Sequence, residues 1–290
     1  MHKFSVFLVL VAGTCWGTSG FFATTLREYG FDALQMALMR NIISTVCLFV
    51  FCAMFRRDKL KMPPKRLLLI GLSAFGLYGT GAFYYAAMKA ASISIAVVLM
   101  YLAPVIVMTY SVIFMKERFT YVKFACAVAA LVGTGLVTGI IGGHKVSLVG
   151  IGLGLMSGIS YSLYNICAKY EMKRGDDPVV STTYCFAFAT VVSVIFGSPV
   201  ETYSRVCAEG VRILPWAMAL GLITSTLPYI VYTYAMKRLP AGVTASIGSV
   251  EPIVATLISV VLYNEPITWS AYIGIALIII AVVVLSTVKE

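Results

Sequence analysis

Long apolar runs alternate with short polar breaks along the whole chain. The runs cover about 4–24, 33–55, 67–87, 93–115 and 120–140, then 147–168, 179–198, 212–236, 241–262 and 268–287. Each is close to the ~20 residues an α-helix needs to cross the hydrocarbon core of a bilayer. The pattern predicts an all-α integral membrane protein with ten transmembrane helices. Ten helices take up roughly 200 residues, which leaves no room for a soluble catalytic domain. The first run is too long for the apolar part of a signal peptide, lacks a small-x-small cleavage site, and is followed by nine more spans. It is therefore read as a retained helix.

Composition agrees with the pattern. Of the 290 residues, 60% are hydrophobic and 12% charged, against roughly 45–50% and ~25% in soluble domains. The formal charge of +10 does not point to nucleic acid, because most Lys and Arg sit between apolar runs. Placing the N-terminus inside puts sixteen of the 22 basic residues on the inner side and five outside, with Arg40 within a span. That bias is the positive-inside signature. It predicts a multi-pass protein of the cytoplasmic (inner) membrane with both termini cytoplasmic. Six of the seven cysteines lie in apolar runs, where a free thiol behaves as a small hydrophobe; Cys207 falls in a polar loop. With no C-x-x-C pair and only His2 and His144 as imidazoles, neither a metal site nor a cofactor is expected.

The two halves repeat. At an offset of 148, Ala87-Met88-Lys89 faces Ala235-Met236-Lys237, and Pro104, Ser111, Val112, Glu117 and Thr120 face Pro252, Ser259, Val260, Glu265 and Thr268. Gly13 and Trp16 match Gly158 and Tyr161 at an offset of 145. The expected repeats are 1–143 and 144–290. Five spans per repeat is an odd number, so the second copy is inverted in the membrane. Inverted repeats are a transporter architecture with the substrate site at the repeat interface near the midplane.

Trp16-Gly17 early in the first span, Arg40 in the second, Ala103-Pro104 and Glu251-Pro252 in the fourth and ninth, and Glu117 and Glu265 closing those two spans form an ordered set. With these features the chain resembles the EamA-type members of the drug/metabolite transporter superfamily over nearly its whole length. The resemblance implies ten helices in two inverted repeats and secondary transport of small organic solutes, with amino-acid and metabolite exporters frequent and some importers of organic cations. Tyr161 departs from the commoner pattern, which has tryptophan at that point of the second repeat.

Ionisable residues inside a membrane are functional-site candidates. Glu251 lies mid-span beside Pro252, whose missing N–H is expected to leave the Gly248 carbonyl without its helical partner. A carboxylate at such a kink suits binding a cation or carrying a proton; it equally suits a structural ion pair with Arg40. Arg40 can hold a substrate carboxylate, snorkel outward, or pair with Glu251. Pro104 and Pro252 mark helix breaks. Glu117 and Glu265 look like helix-end or loop-locking residues. Ten aromatics fall on spans that the resemblance assigns to a cavity: Trp16, Tyr78, Tyr84, Tyr85, Tyr101, Tyr161, Tyr164, Tyr229, Tyr232 and Tyr234. Trp16, Tyr85, Tyr101 and Tyr161 are the leading substrate-binding candidates, able to bind ammonium groups or stack on rings; Tyr and Trp also populate membrane interfaces for their own sake. Closely spaced glycines such as Gly13 and Gly17, or Gly150, Gly154 and Gly158, let helices approach.

The function expected from these features is export of amino acids or related metabolites by alternating access. Uptake of choline or another organic cation is the alternative. No phosphate-binding loop is present, so gradients must supply the energy, with protons as a candidate coupling ion. A lipid-acting enzyme would need clustered His, Asp or Glu at an interface, so no enzymatic activity is expected. The implied partners are a small-molecule substrate and the bilayer, and a monomer is compatible with that arrangement.

Overall fold

A computed structural model describes residues 2–91, 93–138, 147–264 and 267–287. Every regular element among them is helical. The first apolar run is two helices, α1 (His2–Gly17) and α2 (Ser19–Glu28), and α3 (Ala33–Phe55) and α4 (Pro64–Ala90) follow. The fourth run is split into α5 (Ile93–Met100) and α6 (Ala103–Phe114), and α7 (Tyr121–Val137) ends the first half. The second half opens with α8 (Leu148–Lys173) and α9 (Pro178–Phe196). Then come α10 (Pro199–Glu209), α11 (Leu214–Gly221) and α12 (Leu227–Ala235). It closes with α13 (Ala241–Ile247), α14 (Glu251–Tyr263) and α15 (Trp269–Thr287). Among the described residues, eight helical segments are long and apolar enough to cross a membrane. α7 is shorter, and α8 carries Lys169, Glu171 and Lys173 in its last turns.

Two details differ from the sequence reading. The stretch around Cys207 is the helix α10 rather than a loop. Lys169, placed by its charge in an inner loop, lies within α8 and is 6% exposed. The expected repeat boundary near 143 and the residue Glu265 lie outside the described residues.

The molecule is apolar on its outside. Phe4, Val50, Met54, Leu68, Ile195 and Val261 are exposed, while Ser5, Asn41, Ser44, Ser73, Ser157 and Ser193 are buried. Lipid solvates hydrocarbon, so helices associate here through small residues and interhelical hydrogen bonds. Asn41 Nδ2 donates to Ser193 Oγ at 2.8 Å, and the Ser44 hydroxyl donates to the Gly221 carbonyl at 3.1 Å. α4 lies along α8 and α1 along α12; α3 lies on α9, α6 on α13 and α7 on α15. Polar residues start the helices: Asp32 and Gln35 form a reciprocal capping box on α3, and Ser147 and Asp177 cap α8 and α9.

Cross-contacts assign the connecting segments to two ends of the bundle. At one end Lys59 Nζ meets Asp177 Oδ2 at 2.7 Å, Arg66 pairs with Asp176, and Lys173 Nζ lies 3.6 Å from Glu117 Oε1. At the other, the Phe21 and Trp216 rings meet at 5.8 Å, and Gly197 abuts the Leu34 carbonyl.

Candidate functional site

A cavity of about 880 Å³ occupies the middle of the bundle and reaches Arg27, Met88, Thr138 and Thr268, away from the Lys/Arg-rich end. Its deep wall depends on two interrupted helices. Between α5 and α6 the chain turns at Tyr101–Leu102, with Pro104 in the first turn of α6. Between α13 and α14 runs a 3-10 turn, Gly248–Val250, with Pro252 in the first turn of α14. Proline is tolerated at a helix start because its missing N–H has no intrahelical acceptor there. The Gly248 carbonyl is not orphaned, contrary to the sequence reading: the Glu251 N–H donates to it within the 3-10 turn.

These interruptions put functional side chains side by side. The Tyr101 hydroxyl donates to Glu251 Oε2 at 2.8 Å, joining the two interrupted helices. Close approach needs glycines. A Cβ on Gly13 would fall 2.4 Å from Val250 Cγ1 and 3.1 Å from the Gly248 carbonyl. A Cβ on Gly158 would fall 2.5 Å from the Leu99 carbonyl and 3.4 Å from that of Met100. Both glycines let an intact helix press against the backbone of a broken one.

The aromatic wall is layered. Trp16 meets Tyr229 edge-on at 5.2 Å and Tyr232 at 5.0 Å. Behind it, the Tyr232 hydroxyl donates to Asn165 Oδ1 at 2.6 Å, and Asn165 Nδ2 donates to the Tyr161 carbonyl at 2.7 Å. This network fixes the deep rings, while Tyr84 and Tyr85, which also line the cavity, form an edge-on pair at 5.5 Å. Between α11 and α12 the chain makes a π-helical turn, Leu222–Thr226, a distortion frequent at functional sites. Thr224 on that turn and Tyr229 beyond it both line the cavity.

Trp16, Arg40, Tyr85, Tyr101, Tyr161, Glu251 and Pro252 all line this one cavity, whereas Pro104 is buried in the first turn of α6 and is not part of the lining. No salt bridge joins Arg40 to Glu251. Arg40 has no hydrogen-bond or ion-pair partner among the described residues, and its Nε is buried. Of the remaining aromatics, Tyr78, Tyr84 and Tyr229 line the cavity, whereas Tyr164 and Tyr232 pack behind it. Tyr234 faces outward, with Lys237 Nζ 5.8 Å from its ring centroid. Glu117 pairs with Lys173, away from the cavity.

The sequence reading passed over the closure at the opposite end. Lys169 Nζ donates to the carbonyls of Met236 at 2.9 Å and Leu239 at 2.6 Å, tying α8 to the turn after α12. Two residues on, buried Glu171 accepts from the Ser181 hydroxyl. The position of Lys169 at the end of an apolar run is what disguised it as a loop residue.

A lipid-facing helical bundle around a cavity lined with rings and charges of both signs is the construction of a multi-pass membrane transporter. The chain matches the EamA-like transporter family over residues 3–139 and 148–287, and it belongs to that family. Among its relatives is an uncharacterized transporter of Archaeoglobus fulgidus, 26% identical over 276 residues, with 95% of this chain and 94% of the relative covered. Another is the threonine/homoserine exporter RhtA of Salmonella typhimurium, 27% identical over 258 residues, with coverage of 87% and 79%. A solved crystal structure of a protein superposes with a TM-score of 0.77 over 97% of this chain and 95% of that one, at 19% identity, which speaks for the fold alone.

Proposed function

We propose that the protein is a secondary transporter that exports amino acids or related small metabolites by alternating access, and that it stands here open to the outside. The observation that carries the proposal is the central cavity, which runs to one end of the bundle while Lys169, Glu171 and the Arg66–Asp176 pair hold the other end together. The closed end carries the basic residues, so the positive-inside rule makes it cytoplasmic, with both termini on that side.

Alternating access needs two related halves, and several features support an inverted repeat of ten spans divided near residue 143. Number the spans one to ten, with α1–α2 as the first and α15 as the tenth. Exchanging each span with the one five further on turns the α4–α8 contact into the α12–α1 contact. The same exchange turns α6–α8 into α14–α1 and α4–α9 into α11–α3. The pairs α3–α9 and α7–α15 map onto themselves. Lys116 and Asn264, related by the offset of 148, both take left-handed backbone, with φ of 56° and 54°. Gly13 against the Gly248 carbonyl mirrors Gly158 against that of Met100.

The relative named a threonine/homoserine exporter supports an amino-acid cargo. Aromatic walls and Glu251 alone would suit an organic cation, but Arg40 in the same cavity repels one. Glu251 is also assigned the coupling proton, because it is a carboxylate at membrane depth in the chamber that alternates between sides. The test is counterflow of radiolabelled amino acids into liposomes holding purified protein. Saturable counterflow by the wild type is expected, with proton-driven accumulation abolished in Glu251→Gln. Unsaturable flux would indicate a channel, and a Glu251→Gln variant that accumulates at the wild-type rate would remove the coupling role.

A further inference from the structure

Arg40 poses a physical problem that the fold itself does not solve. It is the eighth residue of α3, roughly 10 Å along the helix from its outer end at 1.5 Å per residue. A guanidinium carries five donors and never loses its charge in a protein. Buried charges are normally paired or hydrogen-bonded, because desolvating them otherwise is costly. Arg40 is half-buried at membrane depth and has no acceptor among the described residues: its Nε is shut off from solvent, and its terminal nitrogens are left to the cavity. Snorkelling explains a head group that reaches the interface. Here the side chain instead forms part of the cavity wall, next to Asn41, whose Oδ1 is also buried without a donor.

Among the described residues, three charged side chains line the cavity: Arg27 towards its mouth, Arg40, and Glu251. Glu251 is fixed in place, since Tyr101 occupies Oε2 and leaves the other oxygen for a ligand. Tyr229 lies within electrostatic reach of both Arg40 and Glu251. The cavity thus presents a positive and a negative pole that do not neutralise each other directly.

We propose that the missing partner of Arg40 is the cargo: a small dipolar solute whose carboxylate takes a two-pronged contact from Arg40 while Glu251, oriented by Tyr101, holds its cationic nitrogen. This rests on the transporter reading and adds the two recognition groups and the chemical class they select. Planar guanidinium–carboxylate pairing is geometrically specific. Solutes with one pole missing leave a desolvated charge unpaired and are rejected. A free amine lacks the group for Arg40, and an N-acylated acid lacks the one for Glu251.

Binding to purified wild-type protein, measured by calorimetry, tests this. The twenty amino acids and glycine betaine are screened first, and the tightest binder is compared with its carboxamide and its decarboxylated amine. The acid is expected to bind about tenfold or more tightly than either analogue, the scale of a lost charge-assisted hydrogen bond. In Arg40→Gln that ratio falls to near one, with the affinity of the carboxamide unchanged. Arg40→Lys recovers part of the ratio. Tyr101→Phe weakens acid and carboxamide alike, because it loosens the pole they share. Gel filtration and thermal melting confirm that each variant is folded.

Failure of every dipolar probe to bind folded wild type at 10 mM, roughly the weakest useful affinity, would overturn the assignment. So would equal binding of acid and amine, or an acid preference that survives in Arg40→Gln. Arg40-dependent binding without counterflow would overturn the transporter reading alone. Saturable counterflow of amines at the rate of amino acids would overturn the dipolar site alone.

Discussion

Replacing Gly158 by alanine adds one methyl group where α8 crosses the end of α5. The new Cβ would lie 2.5 Å from the Leu99 carbonyl oxygen and 3.5 Å from its carbon. These are backbone atoms, so no side chain can rotate away, and α5 must retreat by the better part of an ångström. Gly152 on the same helix supplies the control, because a Cβ there meets nothing within 4 Å. Alanine is favoured over glycine in a helix by about 1 kcal/mol, a gain common to both sites that cancels in the comparison. What remains is overpacking, typically ~1–3 kcal/mol. Gly158→Ala should therefore melt below Gly152→Ala by several degrees, at roughly 3 °C per kcal/mol, in detergent-solubilised protein followed by tryptophan fluorescence. Gly13→Ala should fall between the two, because its Cβ would meet the movable Val250 side chain at 2.4 Å but stand 3.1 Å from the Gly248 carbonyl. Equal melting temperatures for the 152 and 158 variants would refute the close crossing, and with it the account of how Tyr101 reaches Glu251.

Two further outcomes follow from the closed end. Burial alone would raise the Asp177 carboxyl, but the Lys59 ammonium and the backbone N–H groups of Val179 and Val180 together hold it below the usual carboxylate range. Its folded pKa is depressed, so its stabilisation is present above the unfolded value of about 3.9 and is lost as pH falls through the folded one. Asp177→Ala also removes the α9 cap and should cost about 1 kcal/mol at pH 7, with the difference from wild type shrinking as pH falls through the depressed folded pKa; a difference that does not shrink on acidification would contradict this. Lys169→Met removes the donor shared by the Met236 and Leu239 carbonyls. It should raise the maleimide reactivity of a cysteine placed at Tyr161 from the membrane side that the Lys169 end faces, and unchanged reactivity would show that Lys169 is no latch.

Tyr101 and Glu251 show where sequence reading stopped. Each was recognisable as a candidate, Glu251 because a carboxylate in an apolar run is conspicuous, and Tyr101 because it is an aromatic on a span that the family resemblance assigns to a cavity. Their hydrogen bond links positions 150 residues apart, and no local pattern encodes which proline break faces which. Tyr229 and Thr224 were harder to rank, since an aromatic or hydroxyl residue in an apolar helix has the same sequence signature whether it faces lipid, core or cavity. Lys169 and Glu171 were hidden by their place at a span end, where charge ordinarily means solvent.

The amino-acid order by itself determined a helical membrane protein of the EamA family, the approximate limits of its apolar helices and the internal repetition. Those properties follow from runs of apolar residues, from charge placement and from motif spacing, all of which are one-dimensional. Tertiary structure alone decided that Arg40 and Glu251 share a chamber without neutralising each other, that Tyr101 bridges two broken helices, and that Lys169 ties one end shut. In lipid, apolar surface does not drive helices together, so partners are chosen by close backbone approach at glycines and by matched polar groups, and both exist only after distant segments have met.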